Sequence, residues 1–77
     1  MSFQPSVRVL VKILQTLKNN KSIGKTELAE LIKTNHSRVT KNIDWLERKE
    51  MIKSIIEENK IHLILTDLGN DFLETME

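Results

Sequence analysis

The sequence predicts an α+β fold, mainly α with one small β-hairpin, in the order α-β-α-α-β-β-α. Three observations predict it. Apolar residues recur at helical spacing in three successive stretches as far as Leu46. Two clusters of β-forming residues then flank a polar tetrad, Glu57-Glu58-Asn59-Lys60, as in a hairpin. A final stretch with Leu68, Phe72, Leu73 and Met76 returns to helical spacing after Thr66.

The elements follow in order. Leu10, Ile13, Leu14 and Leu17 mark a first helix over about 5–19, with Pro5 in the first turn and Asn19-Asn20 at the end. Lys21–Ile23 reads as a short extended piece. Gly24 is an acceptable N-cap for a second helix over about 25–33, with Leu28, Ala29, Leu31 and Ile32 as its apolar residues and Glu27 favourably placed in its first turn. Asn35 caps a third helix over about 36–49, on which Val39, Ile43 and Leu46 recur at intervals of four and three. Met51, Ile52, Ile55 and Ile56 form one strand of the hairpin at 51–65, and Ile61, Leu63, Ile64 and Leu65 the other. Thr66 is the N-cap of the last helix, 66–76.

Length and composition bound what such a chain can do. Its 77 residues are expected to form one domain, 1–77, with no room for a separate effector domain. A domain of this size buries only about 60% of its unfolded surface, so a partner is expected to help stabilise it. There is no cysteine to form a disulfide or a thiolate metal site. No apolar run approaches the roughly 20 residues of a membrane span, and Met1 to Arg8 does not look like a signal peptide. The expected setting is cytoplasmic, with no membrane partner.

The net charge is +1, but it is unevenly spread. Residues 1–42 hold eight basic and two acidic residues, a balance of +6; residues 43–77 hold four basic and nine acidic, a balance of −5. Such a chain can turn one positive face to phosphates while staying near neutral overall.

Two helices joined by a short turn and followed by a hairpin are the parts of a winged helix-turn-helix, here residues 24–48 with a wing at 51–65. In that arrangement the first helix of the pair braces the second, whose N-terminal residues reach base edges in the major groove. The segment from Asn35 to Arg48 fits the second role. With Val39 facing inward at 100° per residue, Ile43 and Leu46 fall within about 40° of it. Ser37, Lys41, Asp44 and Arg48 fall on the opposite face, flanked by Arg38, Thr40 and Trp45. Residues 31–43 contain Lys33, His36, Arg38 and Lys41 and no carboxylate. Arg38 can pair with guanine O6 and N7; His36, Ser37 and Thr40 can reach a base edge or a phosphate, and Lys41 a phosphate or a guanine. The candidate DNA-binding residues are therefore His36, Ser37, Arg38, Thr40 and Lys41, with Lys60 on the wing.

These residues carry a resemblance. Ile23-Gly24-Lys25-Thr26-Glu27-Leu28-Ala29, Asn35-His36-Ser37-Arg38-Val39-Thr40-Lys41-Asn42-Ile43 and Leu46-Glu47-Arg48-Lys49-Glu50-Met51-Ile52 resemble the winged helix-turn-helix of MarR- and PadR-type transcriptional regulators. Leu65-Thr66-Asp67-Leu68-Gly69 is similar to the leucine-threonine-x-x-glycine that opens their last helix. The resemblance covers nearly the whole chain and is closest to the minimal single-domain regulators of archaea and their viruses. It implies a homodimer and duplex DNA as ligand. The chain departs from the pattern at three places. Glu50 and Lys33 stand where glycine is usual or frequent, which implies another turn conformation before the wing. The wing tip carries Glu57 and Glu58 where basic residues are usual.

Helix 1 is too apolar for one buried stripe, because Val9 and Val11 point to either side of Leu10, and the last helix spreads likewise. The expected homodimer is built from these terminal helices through Val9, Val11, Phe72, Leu73 and Met76. Trp45 is expected to pack, and His62 to be exposed on its strand. His36 and His62 lack partners for a metal site. No nucleophile triad, Gly-rich phosphate loop or carboxylate pair is present, so neither an enzyme nor a cofactor is expected, and nothing identifies a small-molecule ligand. The sequence therefore points to a sequence-selective transcriptional regulator, expected to repress by occupying its operator. The alternatives are a winged helix used for protein–protein contact and a non-specific architectural DNA binder.

Overall fold

In the computed structural model the first helix starts at a serine cap. Ser6 is extended, its hydroxyl accepts from the Val9 N–H at 3.4 Å, and its carbonyl accepts from Leu10 at 2.9 Å. Pro5 therefore lies before the cap and not inside the first turn as expected, because the Ser6 hydroxyl supplies the acceptor that a free N–H needs. Residues 3–76 are described, so Met1, Ser2 and Glu77 of the expected domain 1–77 lie outside the described residues.

The elements run α1 (Val7–Asn19), β1 (Ile23–Gly24), α2 (Lys25–Ile32), α3 (His36–Arg48), β2 (Ile52–Glu57), β3 (Lys60–Leu65) and α4 (Asp67–Met76). This is the α+β order read from the sequence. The hairpin also gains a third strand, because β1 pairs antiparallel with β3 through Ile23 opposite Leu63 and Gly24 opposite His62. The pairing fastens the start of α2 to the wing.

One core joins the helices to the sheet. Leu10, Ile13 and Leu14 of α1, Leu28 of α2, Val39, Ile43 and Leu46 of α3, Ile52 and Leu63 of the sheet and Leu73 of α4 are all buried. Two interface expectations change as a result. Leu73 has no exposed surface and Val9 only 8%, so both belong to the core of the single chain. The reason is that α4 packs directly along α1 and consumes those faces. Val11 and Phe72 are half-buried against the same core, and Met76 remains 42% exposed. On β3, the register places Ile61 beyond the edge of the core, where it is exposed. His62 is half-buried rather than exposed, since β1 lies beside it.

Among the described residues, four other than glycine take a left-handed backbone: Lys33, Glu50, Glu58 and Asn59. Lys33 ends α2 with φ 58°, its N–H donating to the Ala29 carbonyl. After α3, Glu50 (φ 60°) donates to the Glu47 carbonyl at 3.0 Å and Met51 to the Leu46 carbonyl at 3.0 Å. These are the paired bonds of a Schellman ending, which normally places glycine at the left-handed position. The expected alternative conformation is thus not adopted; Glu50 enters the glycine geometry itself. Glu58 and Asn59, with φ 50° and 64°, form the two-residue wing turn, whose backbone twist suits the flanking strands.

Glycine is required elsewhere. A Cβ on Gly69 would collide with the Met51 carbonyl oxygen and come within 2.8 Å of a Leu65 methyl. Gly69 donates its N–H to the Thr66 hydroxyl at 3.1 Å, and that hydroxyl donates to the Glu50 carbonyl at 2.7 Å. The Thr66 N–H reaches the Met51 carbonyl at 3.1 Å. The leucine-threonine-x-x-glycine stretch is therefore the joint that seats α4 on the turn leaving α3.

Two substitutions should move stability in opposite directions. Glu50→Gly should relieve a left-handed penalty of roughly 1–2 kcal/mol against a glycine entropy cost of roughly 0.5–1 kcal/mol, and so raise the melting temperature by a few degrees. Alanine is ordinarily the better helix residue, yet Gly69→Ala should cost about 3 kcal/mol through overpacking. Thermal melts of the two variants beside the parent check both signs.

Candidate nucleic-acid interface

The interface begins at the Asn35 cap. The Asn35 Oδ1 accepts from the Ser37 N–H at 2.8 Å and from the Arg38 N–H at 3.3 Å. This ends the turn after Lys33 and launches α3 directly into its exposed polar face. Val39, Ile43 and Leu46 point into the core and hold the helix by its opposite side. His36, Ser37, Arg38 and Lys41 are exposed, and Thr40 is half-buried on the flank. From Asn35 to Ile43 the helix carries no carboxylate, and acidic residues return only at Asp44. A helix about 10–12 Å across fits a major groove about 12 Å wide, where these donors match base edges and phosphates.

The rest of α3 is braced. Glu47 Oε2 accepts from the Ser54 hydroxyl of β2 at 3.0 Å, and its Oε1 lies 4.0 Å from the Lys25 ammonium at the start of α2. One carboxylate thus links α2, α3 and the wing. Trp45 is half-buried against the core, with the Lys49 ammonium 5.5 Å from its ring centroid, a cation–π distance. A groove of about 580 Å³ runs between the segment before α1 and the start of α3; Phe3, Gln4, Arg38 and Lys41 are among its walls.

The wing does not gather with α3 into one cationic surface. Lys60 is exposed but sits opposite Glu57 in the β2–β3 register, next to Glu58 and Asn59 at the tip. The core-facing row of the hairpin runs past the core and ends in the cross-strand pair Ile56 and Ile61, 76% and 52% exposed. On the terminal helices, the exposed apolar residues include Val7, Leu68 and Met76.

Asn42 was not singled out from the sequence. It is 1% exposed, its Nδ2 donates to the Arg38 carbonyl at 2.8 Å, and its Oδ1 has no partner. Its place 60° from Val39 could have signalled burial. Among the described residues, no group of three His, Cys, Asp or Glu side chains could hold a metal ion, and no helix is long and apolar enough to cross a membrane.

A braced helix with an exposed donor face, followed by an antiparallel hairpin, defines a winged helix-turn-helix. The chain matches the MarR family over residues 8–60 and belongs to that family, whose members are transcriptional regulators and not enzymes. The match falls on the MarR side of the resemblance; the PadR relationship and the archaeal or viral setting gain no support from it. No curated protein matches the chain. Among solved structures, YusO from Bacillus subtilis is 32% identical with a TM-score of 0.78, covering 86% of this chain and 49% of that one. A mutant of MarR from E. coli complexed with operator DNA is 20% identical with a TM-score of 0.77, covering 86% and 49%. BpsR of Bordetella bronchiseptica, described with a mechanism for regulation of its DNA binding by 6-hydroxynicotinic acid, is 16% identical with a TM-score of 0.80, covering 88% and 50%. The chain therefore spans about half the length of these relatives.

The cap is testable. Asn35→Ala should lower stability by about 1 kcal/mol, while Asn35→Asp should hold it, because a carboxylate accepts the same N–H bonds. Denaturant titrations of the two variants check this.

Proposed function

We propose that the protein is a sequence-selective DNA-binding transcriptional regulator that inserts α3 into the major groove of an operator and represses by occupying it. The observation that carries this reading is the face of α3 from His36 to Lys41. It is exposed, rich in hydrogen-bond donors and free of carboxylate, while Val39 and Ile43 anchor the helix from behind. Ser37, Arg38 and Lys41 are the reading and anchoring contacts, with His36 and Thr40 at their sides. Lys60 contributes at most a backbone contact, since Glu57 and Glu58 share its tip.

The protein acts in the cytoplasm as a twofold homodimer. Its interface is the surface left open on the terminal helices, namely Val11, Phe72 and Met76, extended by Val7 and Leu68. Two copies of α3 then address half-sites about 10 base pairs apart, or a multiple of that. The sequence points to no particular small-molecule ligand, but the case of BpsR argues against taking that as absence of an effector.

A second reading rests on Ile56 and Ile61. An exposed isoleucine pair beside two glutamates suits contact with a protein better than contact with phosphate. The two readings separate on the recognition helix.

Arg38→Ala and Lys41→Ala remove no buried group, so each should leave stability within about 0.5 kcal/mol of the parent. Arg38→Ala should cost about 1–3 kcal/mol in binding and relax preference at one base pair. Lys41→Ala should weaken all sequences alike and lower the salt slope by about one. Val39→Ala is the control that loses stability instead. The assay is titration of duplexes selected from random DNA, beside thermal melts. Parent-like binding by both surface variants would favour the protein-contact reading.

A further inference from the structure

A second groove opens on the flank of α3, between the start of α1 and the α2–α3 turn. Its volume is about 370 Å³, and its walls include Ser6, Arg8, Lys12, Lys33, Thr34 and Arg38. Four cations from three separate elements meet there with two hydroxyl groups, and among the described residues no carboxylate lines the groove. All four are exposed, and none of them forms an ion pair with a described carboxylate, the ion pair among the described residues being Lys25 with Glu47. In water these exposed charges repel one another only weakly, and an anion set among them gains from all four.

A second observation concerns Lys33. It occupies the left-handed position that ends α2, with φ 58°, where glycine would avoid a steric penalty. The chain thus carries a long cation at the point of the turn where its backbone favours having no side chain. Strain held at such a position points to a role for the side chain.

We propose that Arg8, Lys12 and Lys33 form a phosphodiester-binding cleft that grips the DNA backbone bordering the groove read by α3. This inference rests on the DNA-binding reading above and adds a binding surface from α1 and the turn. Arg38 belongs to both surfaces, so the cleft is continuous with the reading face. The backbone is the occupant because the cleft lies on the flank of α3, off the face proposed to enter the groove, where cations and hydroxyls meet a line of phosphates rather than base edges. In this arrangement the cleft sets affinity and register, and the outer face of α3 sets sequence preference.

The test uses the full chain, a selected duplex and a scrambled duplex of equal length, titrated across a range of salt. The variants are Arg8→Gln combined with Lys12→Gln, Lys33→Gly, and Arg38→Ala. Removing one cation from a phosphate lowers the slope of log affinity against log salt by about 0.9. The double variant should therefore lower the slope by about two units and weaken both duplexes by the same factor, leaving their ratio unchanged. Lys33→Gly should melt at a higher temperature than the parent and yet lower the slope by about one unit. Arg38→Ala should reduce the ratio between the two duplexes. Parent-like slopes for the double variant and Lys33→Gly, with Arg38→Ala still impaired, would overturn the cleft and leave the DNA reading standing. Parent-like behaviour of all three would overturn both. A changed ratio for the double variant would also overturn the assignment, because it would place these residues on bases.

Discussion

The architecture depends on the seat that the α3–β2 turn provides for α4. Three backbone-level events meet there: the Schellman ending of α3, the Thr66 hydroxyl bridging the Glu50 carbonyl and the Gly69 N–H, and the close approach of Gly69 to the Met51 carbonyl. Each constrains the next. The left-handed turn at Glu50 presents its carbonyl to Thr66, Thr66 caps α4, and the absence of a side chain at Gly69 lets α4 lie against the turn. The helix then runs back along α1 and buries Leu73. The far end of α3 is thus tied to the terminal helices. Their remaining apolar surface is the part proposed to join a second copy, so a dimer built this way would hold its two copies of α3 at a set separation.

The fold carries its strain in a distinctive place. Neither of its two glycines has a left-handed backbone, while four of the described residues with side chains do. At roughly 1–2 kcal/mol each, this is a sizeable load on a domain whose total stability is commonly near 5–15 kcal/mol. Asn59 tolerates the geometry best. Lys33, Glu50 and Glu58 keep charges at the three turns that border α2, α3 and the wing. The glutamate at the wing tip makes the hairpin a poor minor-groove probe, in keeping with the proposed recognition through α3.

Much of this was legible in the sequence because it depends on local signals. The Asn35 and Thr66 caps, the 3.6-residue spacing of Val39, Ile43 and Leu46, and the polar tetrad ending at Lys60 are each decided within a few residues. What was missed depends on packing between distant segments. The pairing of Ile23 with Leu63 makes a third strand that two residues could not announce alone. Val9 and Leu73 looked like surplus surface because helical periodicity counts faces but cannot tell which neighbour covers them. Glu50 was read through glycine preference, whereas the hydrogen bonds on both sides of it enforce the turn. Asn42 was overlooked because a polar residue is ordinarily assigned to the surface, although its angular position put it beside Val39. Glu47 is the converse: its role as a link between α2, α3 and the wing needs the tertiary arrangement that brings Ser54 and Lys25 to it.

Recognition is proposed to take place in the major groove through α3, with the acidic wing contributing little from the minor groove. Methylation interference on a selected duplex separates the two grooves directly, since guanine N7 lies in the major groove and adenine N3 in the minor. Methyl groups on guanine N7 within the half-sites should block binding, while those on adenine N3 beneath the wing should leave it intact. Interference confined to adenine N3, with every guanine N7 tolerant, would contradict the proposal.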